Sequence, residues 1–253
     1  MALCELKFFS EALQMHSVVN VIIPQSSTSG EIGTNNNTKN EKYKCLYLLH
    51  GLSDDESIWL RRTSIERYAN RYGVCVVMPC GGRSFYTDMK YGGKYYTYIA
   101  EEVPKVIGEF FNVSDKREDT YIAGQSMGGY GALKIALKNP DRFCACAGLS
   151  SVADIENMVN FFKDTLVPIF GEDINIPEDE NLFHLAKKCN SNPLKPRIYM
   201  GVGTEDFLYE DNVKFKEFME KLDYDYTYQE SEGIHTWDFW DVYIPYALDW
   251  MFK

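Results

Sequence analysis

Gly124-Gln125-Ser126-Met127-Gly128 sets one serine between two glycines, where a β-branched and aromatic run (120–123) gives way to an alanine- and leucine-rich run (127–138). That change of texture predicts a strand, a tight turn and a helix stopped at Asn139-Pro140. The serine falls on the corner. In a G-x-S-x-G turn the hydroxyl stands exposed while the glycines let strand and helix approach closely, so Ser126 is the candidate nucleophile. A serine attacks only with a base to take its proton, an acid to orient that base, and donors for the oxyanion that forms.

The chain offers four histidines for the base. His16 lies in a strand-like stretch near the amino terminus, His50 ends a hydrophobic run ahead of the serine, and His184 lies in a long excursion between two strands. That leaves His235, in the segment EGIHTWDFW, between the last strand-like run and the last helical one. Loops at the carboxyl ends of parallel strands converge on one site, and a chain order of serine, acid, histidine suits such a nucleophile. The acid is then sought at a strand end before His235. The buried run 197–202 is followed by Gly203-Thr204-Glu205-Asp206, which points to Asp206, with Glu205 and Asp211 as rivals. Asp211 reads instead as a cap on a helix over 212–222. The elbow supplies the Met127 N–H to an oxyanion, and a second donor must follow an earlier strand. YLLHGLSDDESIW ends such a strand in His50-Gly51, so Leu52 is the candidate donor and His50 a brace for its loop.

These residues need elements to position them. Apolar runs at 18–23, 43–49, 74–78, 120–123, 143–149, 197–202 and 224–229 read as strands. Segments of helical periodicity at 57–72, 95–111, 127–138 and 212–222 fall between most of them. The alternation predicts an α/β protein with a mostly parallel sheet covered on both faces. The first two runs, 6–13 and 18–23, are too close for a helix between them and predict an antiparallel pair at one edge. The polar stretch 25–42 reads as a mobile surface loop, and 151–196 as a small helical cap. The whole chain, 1–253, reads as one domain.

Composition narrows the function. The chain has 253 residues, 45% of them hydrophobic and 25% charged, enough to bury a full core. A net charge of −11 with no basic stripe argues against nucleic acid and anionic membranes. No signal-peptide pattern or apolar span is present, and the seven cysteines mostly lie in apolar strand-like runs, so a cytoplasmic protein is expected. Cys144-x-Cys146 reads as alternate residues of a buried strand, not as half of a metal site.

The segments HGLSDDESIWLRRTSIERYA, MPCGGRSFYTDMKYGGKYYTYIAEEVP, YIAGQSMGGYGALKIAL, GTEDFLYEDN and GIHTWDFWD resemble the tributyrin-esterase-type group of α/β-hydrolases, which is related to the esterase D and feruloyl/acetyl esterase families. The resemblance implies an α/β-hydrolase fold, with Ser126, Asp206 and His235 as a triad and Leu52 and Met127 as oxyanion donors. It implies a serine carboxylesterase for short acyl chains, with no metal or cofactor and a small-molecule ester as partner. Self-association is left open. Other readings are a thioesterase of the S-formylglutathione hydrolase kind, a feruloyl or acetyl xylan esterase, an acyltransferase and a non-catalytic binding module. Phe85 and Tyr86, after a strand end, are expected to line the substrate pocket, and Trp59 is a further candidate. Ser150-Ser151 stands where a serine followed by glycine is more usual, a departure able to reshape the pocket.

Overall fold

The computed structural model of the chain describes residues 1–25 and 42–253. The stretch read as a mobile loop, 25–42, lies outside the described residues apart from its two ends. Among the described residues, eight strands form a single sheet: β1 (Ala2–Ser10), β2 (Met15–Ile23), β3 (Cys45–Leu49), β4 (Cys75–Pro79), β5 (Thr120–Gln125), β6 (Ala145–Leu149), β7 (Arg197–Gly203) and β8 (Tyr226–Ser231). Their order is β1-β2-β4-β3-β5-β6-β7-β8. β2 runs antiparallel to both neighbours, and all other pairs are parallel. The edge pair expected from the first two apolar runs is thus present.

The inner strands are hydrophobic without alternation because both faces are covered. Along β3, Leu46 and Leu48 face one core, while Cys45, Tyr47 and Leu49 face the other. Burying one such side chain contributes about 1.5–3 kcal/mol on either face, so where both faces are apolar the hydrophobic pattern does not by itself specify register. Register here is set by the ladders, which align Leu49 with Gly124 and Gln125 with Leu149.

The helices are α1 (Ile58–Arg62), α2 (Ile65–Asn70), α3 (Tyr95–Thr97), α4 (Val103–Phe110), α5 (Met127–Lys138), α6 (Lys163–Phe170), α7 (Leu182–Cys189), α8 (Tyr209–Met219) and α9 (Trp237–Phe252). α1, α2 and α9 cover one face through Trp59, Tyr68, Tyr243 and Leu248. α4, α5, α7 and α8 cover the other through Ile107, Leu133, Leu185 and Phe215.

Two helical expectations change in detail. The run 57–72 is broken into α1 and α2 because Thr63, extended, turns its hydroxyl to the Trp59 carbonyl and receives the Ile65 N–H. The run 95–111 is continuous but widens into a π turn at Tyr98–Glu102, just ahead of Pro104, which has no N–H to give. The excursion 151–196 divides as well. α6 is tied through Thr165 to Arg83 in the loop after β4, whereas α7 packs on α5 and α8 as part of the layer that covers the sheet.

Candidate active site

β5 ends at Gln125, and Ser126 turns the chain into α5 with φ 55° and ψ −119°. A side chain in this left-handed region costs of order 1–3 kcal/mol and persists only where its surroundings hold it. Here the Ser126 N–H donates to the Leu149 carbonyl at 2.9 Å, and its own carbonyl accepts from Tyr130 and Val152 at 3.1 and 3.2 Å. The flanking glycines are a steric requirement. A methyl on Gly124 would lie 2.3 Å from the Gly128 oxygen, and one on Gly128 would lie 2.4 Å from the Leu49 oxygen.

The loops after β7 and β8 are laced together. Thr204 N–H donates to the Ser231 carbonyl at 2.9 Å and Glu205 N–H to the Gly233 carbonyl at 3.0 Å. This lacing brings Asp206 to His235. Nδ1 of His235 lies 3.0 and 2.9 Å from the two Asp206 carboxylate oxygens, and Nε2 lies 3.0 Å from Ser126 Oγ. An ionised carboxylate only accepts, so Nδ1 carries the hydrogen and Nε2 is left to accept from the serine hydroxyl. Asp206 is 5% exposed and also accepts the Leu208 N–H at 2.9 Å. Of its rivals, Glu205 points into solvent. Asp211 is not a cap ahead of a helix starting at 212, since α8 begins at Tyr209; it sits buried in the first turn and accepts from Asn157 Nδ2 at 2.8 Å.

The loop after β3 carries Leu52. His50 braces it from behind, with Nε2 accepting the Gly81 N–H at 2.8 Å and Nδ1 donating to the Gly51 carbonyl at 2.7 Å. Burial pulls the His50 pKa below the ordinary imidazole value and keeps the ring neutral, as this pair of bonds requires. Neither the Leu52 nor the Met127 N–H has a protein acceptor among the described residues.

A cavity of about 520 Å³ opens above Ser126, lined by Leu52, Asp54, Arg83, Phe85, Gln125, Val152, Phe162, Phe207, Trp237 and Trp240 among others. Phe85 stands on the cavity wall. Tyr86 and Trp59 do not. Tyr86 is fully buried behind the wall, its hydroxyl donating to the His50 carbonyl at 2.8 Å, because a left-handed φ of 53° turns it inward. Trp59 is 1% exposed, gives its N–H to the Leu49 carbonyl at 3.0 Å, and meets Trp237 edge-on. Ser151, the departure from the usual pattern, fills space beside Gly129 and Gly148 and does not reach the cavity.

Sequence reasoning missed Phe207, whose ring centroid lies 4.6 Å from that of His235. It also missed Lys134, fully buried on α5, whose Nζ donates to the Phe85 carbonyl, Thr87 Oγ1 and Glu180 Oε2 at 3.0, 2.7 and 2.5 Å. Burial pulls the Lys134 pKa down to about 8, although the Glu180 charge opposes the shift. The only trace in sequence was a lysine within the apolar run GALKIAL.

A parallel sheet with one antiparallel strand, a serine on a β5–α5 elbow and a histidine and aspartate from later loops define an α/β-hydrolase. The esterase family profile, described as "Putative esterase", matches residues 10–251. An acetyl esterase of Caldicellulosiruptor saccharolyticus is 33% identical over all of this chain and 99% of its own length. The substrate-bound fluorophosphonate-binding serine hydrolase F of Staphylococcus aureus is 34% identical with a TM-score of 0.89, covering 100% of this chain and 98% of that one. An S-formylglutathione hydrolase of the same organism is 34% identical with a TM-score of 0.87, covering 100% and 99%. The chain therefore belongs to this esterase family and is a serine hydrolase of carboxylic esters. Among the described residues, no helix is long and apolar enough to cross a membrane.

Proposed function

We propose that Ser126, His235 and Asp206 form the catalytic triad of an esterase for short acyl chains, with the Leu52 and Met127 N–H groups as the oxyanion hole. The observation that carries the reading is the 3.0 Å contact of His235 Nε2 with Ser126 Oγ while Nδ1 is held by Asp206. Ser126 Oγ attacks the ester carbonyl as His235 takes its proton. The oxygen that gains charge is met by the two unengaged N–H groups, and Asp206 stabilises the imidazolium. His235 then protonates the departing alcohol. Water, activated by the same imidazole, releases the acid and restores the serine.

The short-chain reading is supported by the apolar wall of Phe85, Val152 and Phe162, with the buried Lys134 holding the Phe85 carbonyl. Phe161, next to Phe162 in the chain, is 69% exposed and does not line the cavity. Seven free cysteines, several of them buried, support work in a reducing compartment such as the cytoplasm.

A thioester with an anionic leaving group is a second reading, favoured by Arg83. This cation lines the cavity, and among the described residues its hydrogen bond is a neutral one, from Nη2 to Thr165 Oγ1 at 2.8 Å. The test is labelling of the protein by a fluorophosphonate with mass mapping, followed by kcat/KM for p-nitrophenyl esters of increasing acyl length and for S-formylglutathione. Modification at Ser126 and a maximum at two to four carbons are expected. Modification elsewhere removes the triad assignment, a maximum at eight carbons removes the short pocket, and a preference for S-formylglutathione selects the second reading.

A further inference from the structure

Gln125 lies one residue before the nucleophile and is 1% exposed, yet it closes the far side of the oxyanion loop. Its Nε2 donates to Asp54 Oδ2 at 2.8 Å. Its amide lies flat against Gly51, where an added methyl would stand 2.5 Å from Nε2 and 2.6 Å from Oε1. Asp54 in turn folds back, its N–H reaching the Gly51 carbonyl at 3.3 Å, so Leu52 sits in a turn whose two ends both touch Gln125. Among the described residues, Oε1 of Gln125 is buried without a partner. A buried acceptor left unpaired costs about 1–3 kcal/mol, an expense that an apolar side chain at this position would avoid. Packing alone therefore does not account for a glutamine here.

We propose that Gln125 and Asp54 are positioning residues that hold the Leu52 N–H at the distance the oxyanion requires. The proposal rests on Leu52 being an oxyanion donor. The geometry ties that donor to the elbow itself: Ser126 and its neighbour Met127 continue directly from Gln125, so one side-chain bond sets the spacing between the two N–H groups. His50 and Tyr86 hold the loop from its other end, through the Gly51 and His50 carbonyls. A loop fixed at both ends does not need to reorganise as charge develops, which is where preorganised donors gain their effect.

The test exchanges the partners of the bond. Gln125→Glu sets two carboxylates against each other and removes the donor; Gln125→Glu/Asp54→Asn restores a hydrogen bond with donor and acceptor reversed. Because losing one oxyanion donor costs about 10²–10³ in kcat, a displaced one is expected to lower kcat by about 10–100-fold in Gln125→Glu. KM for p-nitrophenyl acetate should change less than about threefold, since a transition-state contact is lost and not substrate binding. Affinity for a trifluoromethyl ketone, which forms a tetrahedral adduct, should fall in step with kcat. The double variant should recover most of both, and thermal midpoints report folding separately. Parental kcat in folded Gln125→Glu, or a double variant no better than the single one, overturns the latch. So does a loss confined to KM. Fluorophosphonate labelling of the parent keeps the two readings apart: a parent not modified at Ser126 removes the triad, whereas a labelled parent with insensitive variants removes only the latch.

Discussion

Ser126 and His235 meet at 3.0 Å but are held there by different means. The serine corner is fixed by backbone. It sits between central strands, its N–H and carbonyl are both engaged by main-chain groups, and the glycines around it have no room for a methyl. The histidine ring, on a loop past the end of an outer strand, is held by side chains, although main-chain bonds tie its loop to the one after β7. The ring is gripped by Asp206, faced by Phe207 and met edge-on by Trp240 at 4.9 Å. A backbone-held position tolerates loss of its side chain but not of its space; a side-chain-held position has the opposite sensitivity. The difference follows from the sheet, whose ladders reach the elbow directly but stop at Ser231, short of His235.

The sharpest break is Ser126→Ala. The corner should survive, because alanine adopts the same φ no worse than serine, while kcat falls by roughly a million-fold as for a serine protease nucleophile. Turnover of p-nitrophenyl acetate and a thermal midpoint check both halves; a folded variant within tenfold of the parent ends the assignment.

Asp206→Asn attacks the other side of the comparison. Asparagine can still accept the Leu208 N–H, so the fold should hold. An amide facing Nδ1 favours the wrong tautomer, and kcat should fall by about 10⁴. Glu205→Gln and Asp211→Asn serve as contrasts and should stay within about threefold of the parent, each being remote from the imidazole. If one of these collapses while Asp206→Asn is active, the acid has been misassigned.

Gly128→Ala tests the space around the corner. The added methyl meets the Leu49 and His50 carbonyl oxygens at 2.4 and 2.6 Å, and backbone cannot swing aside as a side chain can. A loss of about 1–3 kcal/mol of stability or more is expected, read by urea unfolding. An unchanged midpoint would show that strand and helix are less tightly coupled than the ladders indicate.

Phe207→Ala is the mildest case and bears on the histidine loop alone. The ring is 59% exposed, so stability should hardly change. Removing an aromatic contact worth about 0.5–1.5 kcal/mol should loosen the imidazole and lower kcat by about three- to tenfold. A larger effect on KM than on kcat would mean that Phe207 acts on substrate instead.

Local pattern was enough to locate the alternation of strands and helices, the edge pair, the elbow and the segment bearing each candidate catalytic residue. Each depends on short-range rules: apolar runs bounded by turn residues, glycines around a serine, a carboxylate after a buried strand. Tertiary structure decided what those rules do not reach. Glu205 and Asp206 are adjacent in sequence, and only the lacing of Thr204 and Glu205 to the end of β8 and the loop after it turns one inward and leaves the other in solvent. Phe85 and Tyr86 are equally aromatic, and two successive left-handed residues place the first on the cavity wall and the second behind it. Lys134 and Gln125 gave no catalytic signal because their partners, Glu180 and Asp54, are 46 and 71 residues away. Contacts at such separation depend on how sheet and loops pack, and no periodicity or motif within a single segment encodes them.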